Sequence, residues 1–115
     1  NDTTRLSATQ ISTNLYYNPA YNTLFAGTFS TVSDINRKTN IETIPDALNI
    51  VQQLRGVSFD WKDTNIKSYG LIAQEVEQIV PELVNTNNLN EKSITYDNII
   101  GILIEAIKEL NAKLN

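Results

Sequence analysis

The sequence contains no cysteine and no histidine. Zinc, iron-sulfur and haem sites therefore lack their usual ligands, and a catalytic triad that depends on histidine is excluded. Any nucleophilic chemistry has to use a serine or threonine hydroxyl together with a lysine or a carboxylate. We accordingly expect neither a metal site nor a cofactor.

Basic residues are also scarce, since nine lysines and arginines stand against 13 acidic residues and the net charge is -4. They are scattered along the chain, whereas a nucleic-acid site requires a basic stripe or patch. No apolar run approaches the roughly 18 residues of a membrane-spanning helix, because Gly101 interrupts the longest one. We expect a globular domain with neither a nucleic-acid nor a membrane partner.

The chain begins at Asn1 with neither Met nor a leader, which favours excision from a longer polypeptide.

The composition changes near Ser33. Residues 1–32 are rich in Thr, Ser, Asn and Tyr, and the alternation of apolar and polar residues over 24–32 favours a strand. The segment 16–22, with its Tyr, Asn and Pro residues, is typical of a turn. The sequence therefore predicts two parts, a β-rich region at 1–32 and a separate domain at 33–115.

Short elements alternate in the middle of the chain. Pro45 is placed for a first helical turn and Gly56 for a C-cap, which predicts a helix between them. The alternating residues that follow predict a strand whose Phe59 and Trp61 lie in the core rather than form a ligand platform. The other predicted elements are a strand at 69–72, a helix at 73–80 and a hairpin over 83–96. The predicted fold class is α+β, with short hairpins and helices that lead into a long C-terminal helix.

The strongest periodic signal is the spacing of apolar residues near the C-terminus, which alternates between four and three. It predicts a helix with a coiled-coil seam for a trimeric bundle, formed by Tyr96, Ile100, Leu103, Ile107, Leu110 and Leu114. A second apolar flank, at Ile99, Ile102 and Ala106, would let the helix face its own domain on one side and other copies on the other. The core helix of a monomer has the same pattern, so the trimeric seam and the monomeric core helix both remain open. Glu109 and Lys113 have the spacing of an ordinary surface ion pair.

Among the residues capable of covalent chemistry, Ser33 stands at the composition boundary, with Asp34 beside it and Lys38 five positions on. A neutral lysine can accept the proton of a serine hydroxyl if burial or nearby positive charge lowers its pKa, and Arg37 is such a neighbour. Residues five apart within one helix or strand point in different directions. A Ser33–Lys38 dyad therefore needs either a turn or a neighbouring chain. Ser-Asp is equally a common cap or turn sequence.

Four segments follow one another in order: Ser33 to Ile41, Leu54 to Trp61, Tyr69 to Pro81 with its Ala73-Gln74-Glu75 motif, and Tyr96 with Ile104 to Leu110. Together they resemble the peptidase S74 family, the C-terminal intramolecular chaperone domains of endosialidases and phage tail fibres. The resemblance runs from Ser33 to about Leu114 and leaves residues 1–32 outside it.

The resemblance implies a homotrimer that assembles the upstream fibre or spike body of the same polypeptide and then cuts itself off as a single-turnover serine endopeptidase. The implied scissile bond is Val32-Ser33, with Ser33 as nucleophile and Lys38 as base. From their places beside this pair in the sequence, we expect Asp34 and Arg37 to support the site. The implied setting is a virion tail fibre or spike precursor that folds in the host cytoplasm.

One departure from the family pattern concerns this site. The family often reads Ser-Asp-x-Arg-Leu-Lys, whereas Asn36 and Arg37 occupy the Arg and Leu positions here.

Two further hypotheses stand beside the self-cleaving chaperone. One is a permanent trimerisation cap that never cuts, which an intact mass after folding would reveal. The other is a module of a membrane-tethered transcription factor, which the upstream sequence would decide.

Overall fold

The computed structural model describes residues 14–115. The chain divides into two compact units. The described part of the first unit consists of residues 14–39 and Asp60–Ser68, and the second unit consists of Asn40–Phe59 and Tyr69–Asn115. Residues Asp60–Ser68 thus belong to the same unit as residues 14–39, although the two segments are distant in sequence.

The predicted division of the chain into 1–32 and 33–115 stays a prediction. It concerns the junction between a fibre body and the domain that follows it. Residues 1–13 of the predicted β-rich region lie outside the described residues.

The first unit contains a β-hairpin. Strand β1 (Leu15–Asn18) pairs antiparallel with β2 (Thr23–Ala26). Tyr16 lies opposite Phe25, and the two rings stack with their centroids 4.9 Å apart. Aromatic pairs of this kind are a main source of stability between neighbouring strands.

The predicted bounds of the turn and of the strand in this region are wrong. The sequence predicts a turn over 16–22 and a strand over 24–32, but the chain turns only at 19–22 and the second strand ends at Ala26. Asn22 completes the turn in a left-handed conformation with a φ of 50°, which Asn tolerates better than most residues. Residues 16–18 were predicted to belong to the turn from their local composition. They form part of β1 instead, where Tyr16 stacks on Phe25 across the hairpin.

From residue 40 onward the chain forms three α-helices and two further hairpins, so the α+β fold class is confirmed. These elements are α1 (Ala47–Gln53), β3 (Val57–Asp60), β4 (Lys67–Gly70), α2 (Ala73–Glu77), β5 (Val84–Thr86), β6 (Lys92–Ile94) and α3 (Ile99–Leu114). Strand β3 pairs with β4, and β5 pairs antiparallel with β6. Single 3-10 turns at Pro81–Leu83 and Tyr96–Asn98 lead into β5 and α3.

The ends of α1 differ from the prediction. Pro45 lies outside the helix, because Asp46 is the N-cap and takes a left-handed conformation with a φ of 56°. The helix ends before Leu54, which is extended, and Gly56 does not take the left-handed conformation of a C-cap. The side chain of Asp46 does not cap the first turn. The amide groups that begin α1 therefore need an acceptor from elsewhere.

The second unit is built around a small apolar core. Its buried members are Ala47, Val76, Leu83, Ile99, Ile102 and Ala106, and Val76 is the most deeply buried large side chain. These residues come from α1, α2, the turn before β5, and α3. The core thus brings all three helices of the unit together.

Helix α3 has two apolar faces. Ile99, Ile102 and Ala106, spaced by three and four, form the buried face that packs on α1 and α2. Five of the six predicted seam residues lie elsewhere on the helix, and Tyr96 lies in the 3-10 turn before it. All six are at least 42% exposed. The long C-terminal helix is confirmed, and the trimeric assembly of its exposed face stays a prediction. None of the helices described is long and apolar enough to cross a membrane.

Tyr96 also has a role inside the chain. Its hydroxyl accepts a hydrogen bond from Leu71 N at 2.8 Å and donates one to Leu71 O at 3.4 Å, which holds the segment between β4 and α2. Gly70 makes this approach possible, because a Cβ there would lie 2.5 Å from the Tyr96 hydroxyl. The close packing therefore requires glycine at this position.

Candidate active site

The segment from Ser33 to Lys38 folds into a single 3-10 turn. Asp34 is the N-cap of this turn, and its carboxylate accepts a hydrogen bond from Asn36 N at 2.8 Å. The backbone closes the turn with a bond from Lys38 N to Ile35 O at 3.1 Å. Aspartate is among the preferred N-cap residues because its side chain satisfies such amide groups. The cap thus fixes the backbone between the two candidate catalytic residues.

The turn brings the two candidates into contact. Lys38 Nζ donates a hydrogen bond to Ser33 Oγ over 2.6 Å. Of the two arrangements that the sequence left open, the described chain adopts the turn, and the contact needs no neighbouring copy. A nucleophile and its base have to stand within this range for proton transfer. The catalytic role of the pair stays a prediction.

The surroundings of the pair are open. Ser33 and Lys38 are both exposed, and the side chain of Val32 is 72% exposed. A lysine amine in water is ordinarily protonated and then has no lone pair to accept a proton. The contact between Ser33 and Lys38 therefore lies on an open part of the surface in the single chain.

Asn36 and Arg37, the two other residues singled out near this pair, both lie in the 3-10 turn. Asn36 contributes its backbone amide to the turn, as described above, and Arg37 is the last residue of the 3-10 turn. Both side chains are exposed. Arg37 is therefore one residue from Lys38 in the chain, and its supporting role in catalysis stays a prediction.

Sequence reasoning missed the main role of Glu109. Its carboxylate accepts hydrogen bonds from Leu48 N at 3.0 Å and from Ala47 N at 2.9 Å, the first amides of α1. These two bonds lower the pKa of Glu109, partial desolvation opposes them, and the charge of Lys113 adds a smaller lowering. Glu109 on α3 thus acts as the N-cap acceptor that Asp46 does not provide. No local pattern could reveal it, because the partners lie about 60 positions apart.

A second tertiary ion pair links Arg55 to Glu75. Two hydrogen bonds, of 2.6 and 3.2 Å, join the guanidinium to the carboxylate. They lower the pKa of Glu75 and raise the pKa of Arg55. Both side chains are largely exposed, so solvent and salt weaken the attraction. The pair links the segment after α1 to α2 and contributes little to stability.

The prediction that Trp61 lies in the core is wrong, since its side chain is 52% exposed. Together with Tyr21 it lines an open cleft of about 310 Å³ within the first unit. Phe59, on β3, is half-buried and is not a member of the apolar core of the second unit. The alternation along β3 ends at Asp60, because Trp61 already belongs to the turn that Asn65 N closes by bonding to Trp61 O.

Residues 14–115 contain no cluster of three or more acidic side chains arranged to hold a metal ion.

Comparison with known proteins adds an independent finding. Residues 33–85 match the Peptidase S74 family, described as chaperone of endosialidase. The long tail fiber proteins Gp37 of Enterobacteria phages K3 and T2 are each 31% identical over 91 residues. The alignment covers 71% of this chain and 7% of each relative, so the chain spans less than a tenth of their length. The resemblance stated from the sequence is confirmed over residues 33–85, which leaves α3 outside the family match.

Proposed function

On the premise that residues 33–85 form a segment of the chaperone of endosialidase family, we propose that this chain is the intramolecular chaperone of a phage tail fibre or spike. In this role it trimerises, aligns the upstream fibre body of the same polypeptide, and releases itself by cleavage between Val32 and Ser33. The observation that carries the proposal is the 2.6 Å contact of Lys38 Nζ with Ser33 Oγ at the first residues of the family match.

The fibre context is supported by the relatives, which are tail fibre proteins of phages. A fibre built from three strand-rich chains has to bring them into register, and non-local β pairing is slow and prone to aggregation. A helical module that associates first raises the local concentration of the three chains. We infer a virion component whose precursor folds in the host cytoplasm.

The trimer is proposed to form through the exposed apolar face of α3. Ile107 is 65% exposed in the single chain although it follows directly after the buried Ala106. Each turn of α3 therefore carries apolar surface that its own domain leaves in water. Association of three copies along this face would bury it in the manner of a coiled coil.

In the proposed cleavage, the Ser33 hydroxyl attacks the carbonyl carbon of Val32 while Lys38 accepts the hydroxyl proton. Lys38 can do so only as a neutral amine. Since the single chain leaves the dyad exposed, we infer that neighbouring copies in the trimer desolvate it and so start the reaction. Loss of the module would then make the assembled fibre kinetically stable, because the element that nucleated it is gone.

The alternative is a permanent trimerisation cap that folds and associates in the same way but does not cut. Two observations favour it: Asn36 stands where the family often has Arg, and the single chain leaves Lys38 exposed. The two functions share every step except the cleavage of one bond.

Intact mass after folding tests the cleavage. We expect the natural chain to yield a fragment that ends at Val32 and one that begins at Ser33. Ser33→Ala removes the nucleophile, and Lys38→Arg keeps the charge but provides no neutral base, so both should stay whole and still trimerise. A natural chain that stays whole for days supports the permanent cap, and cleavage of Lys38→Arg at the natural rate would refute the dyad.

Light scattering of the Ser33→Ala chain tests the assembly and should return the mass of a trimer. The double change Leu103→Asp and Ile107→Asp places charge on the exposed face and should give a folded monomer that no longer cuts. The matched control is Ile102→Asp, where the native side chain is only 6% exposed. It should prevent folding, because an unpaired charge would be buried. Trimers that survive the double change would contradict this use of α3.

A further inference from the structure

We propose that the open cleft of the first unit is a binding site for a small organic cation, namely a quaternary ammonium group such as that of choline. Neither the proposed trimerisation nor the proposed cleavage uses this cleft, so the inference goes beyond the proposed function. The observations that carry it are the exposed rings of Tyr21 and Trp61 and the carboxylate of Asp63, which together line a cleft of about 310 Å³.

Two turns of the first unit line the cleft. Tyr21 lies in the turn between β1 and β2, whereas Trp61 and Asp63 lie in the turn between β3 and β4. The first turn is closed by a hydrogen bond from Tyr21 N to Asn18 O at 3.3 Å. The second is closed by a bond from Asn65 N to Trp61 O at 2.8 Å. A ligand therefore does not have to order the segments that carry the rings, which lowers the entropic cost of binding.

The aromatic and charged side chains of the cleft favour a cation. Tyr21 is 55% exposed and Trp61 is 52% exposed, and the face of an aromatic ring attracts positive charge, most strongly in tryptophan. Among the described residues that line the cleft, Asp63 is the only one that carries a charge, so no basic side chain of this lining repels a cation. Aromatic side chains are the usual means by which proteins recognise quaternary ammonium ligands. The volume lies at the lower end of the range for small-molecule sites, which suits a small ligand.

The neutral polar side chains of the lining already make hydrogen bonds within the two turns. Asn22 Oδ1 accepts one from the Tyr17 hydroxyl at 2.6 Å, and the Thr23 hydroxyl donates one to Tyr21 O at 2.8 Å. Thr64 Oγ1 accepts one at 3.3 Å from the backbone amide two residues later. A ligand rich in hydroxyl groups would compete with these bonds, whereas a quaternary ammonium group has no N–H that needs an acceptor. The cleft thus suits a ligand that is recognised by aromatic rings and charge.

Fluorescence of Trp61 tests the binding, because this residue is the only tryptophan of the chain and lines the cleft. Choline chloride is titrated into the full chain carrying Ser33→Ala, in which the proposed cleavage cannot separate Tyr21 from Trp61. We expect a saturable change that sodium chloride at equal ionic strength does not produce. The neutral isostere, in which carbon replaces the nitrogen of choline, should bind several-fold more weakly. Equal responses to choline and sodium chloride, or equal affinities for choline and its isostere, would overturn the inference.

Variants test the residues assigned to the site. Tyr21→Leu should weaken choline binding about two- to fivefold, as expected for one exposed contact between a cation and a ring, and Tyr21→Phe should keep most of the affinity. Asp63→Asn should also weaken binding, and the loss should shrink as the salt concentration rises. This variant changes charge but hardly shape, so it remains informative if Tyr21→Leu disturbs the hairpin. The matched control is Asp60→Asn, at the end of β3 and outside the described lining, which should leave the affinity unchanged. Unchanged affinity in Asp63→Asn would overturn the assignment.

A further arm separates the two sources of this chemical group, a free cation and the headgroup of a choline lipid. The Ser33→Ala chain is sedimented with phosphatidylcholine vesicles. Choline binding without cosedimentation assigns a free cation, and choline binding with cosedimentation that free choline reverses assigns the headgroup. Cosedimentation without any response to choline would overturn the inference. Because no arm depends on the Ser33 hydroxyl, failure of the binding leaves the proposed self-cleavage standing.

Discussion

The contact between Gly70 and Tyr96 allows a sharp test of the packing between β4 and the turn that leads into α3. A Cβ at residue 70 would lie 2.5 Å from the Tyr96 hydroxyl and 3.4 Å from the ring carbon that carries it. Gly70→Ala should therefore push the ring aside and break its bond to Leu71 N. We expect a loss of about 1–3 kcal/mol in the free energy of unfolding, as for other insertions into close packing.

A double-mutant cycle isolates the cause. Tyr96→Phe removes the hydroxyl and should cost about 0.5–1.5 kcal/mol for one hydrogen bond. In that background the atom nearest to the new methyl group lies at 3.4 Å, a tight but tolerable distance. Gly70→Ala should then cost little, so the double change should be less destabilising than the sum of the single changes by about 1–2 kcal/mol.

The assay is urea unfolding followed by circular dichroism, with all chains carrying Ser33→Ala and compared at one concentration because assembly shifts apparent stability. Tyr96→Phe keeps the aromatic ring, so the proposed seam is not altered. Free energies that add within about 0.5 kcal/mol would refute the clash. In that case the cost of Gly70→Ala would have to arise from the backbone of β4 alone.

Other contacts of the second unit give further expectations. Glu109→Gln should lower stability at neutral pH, whereas Glu105→Gln, which loses only a surface pair with Lys108 at 3.4 Å, should change it far less. Because the pKa of Glu109 is lowered in the folded state, its contribution is present above the ordinary glutamate pKa and disappears as the pH falls through the lowered value. The difference between Glu109→Gln and the natural chain, followed by urea unfolding across acid pH, should therefore shrink; a constant difference would contradict the capping role. Leu83→Ala removes a side chain that is 4% exposed and should cost about 2–5 kcal/mol by the same assay, and a change below that range would show that the core closes around the gap.

Some features of the candidate site can be predicted from adjacent residues in the sequence, and others cannot. The Ser-Asp start, the spacing to Lys38 and the family resemblance single out one turn, and Asp34 caps it as the residue type predicts. A 3-10 turn involves only neighbours in the chain, so its geometry follows from a few adjacent residues. The catalytic role of the pair stays a prediction, because it depends on surroundings that a few adjacent residues do not determine.

The elements with a strong local pattern were also predicted correctly in type. The period of α3, the alternation along β3 and the Asn-rich turn between β5 and β6 each depend on residues a few positions apart. Their ends were less accurate, since α1 begins after Asp46 and β2 ends at Ala26. Helix and strand ends are decided by whichever partners satisfy the last amide and carbonyl groups, and some of those partners are distant.

The sequence by itself determined the fold class, the absence of histidine and cysteine chemistry, the two apolar faces of α3 and the choice of Ser33 and Lys38 as the candidate pair. The structure decided that a turn within the chain brings this pair into contact. Only the tertiary structure decided which face of α3 is buried, because that depends on where Ala47 and Val76 lie. It alone assigned Glu109 to the N-terminus of α1 and Tyr96 to Leu71. These contacts join residues 25 or more positions apart, and their partners become neighbours only once the core has brought the helices together.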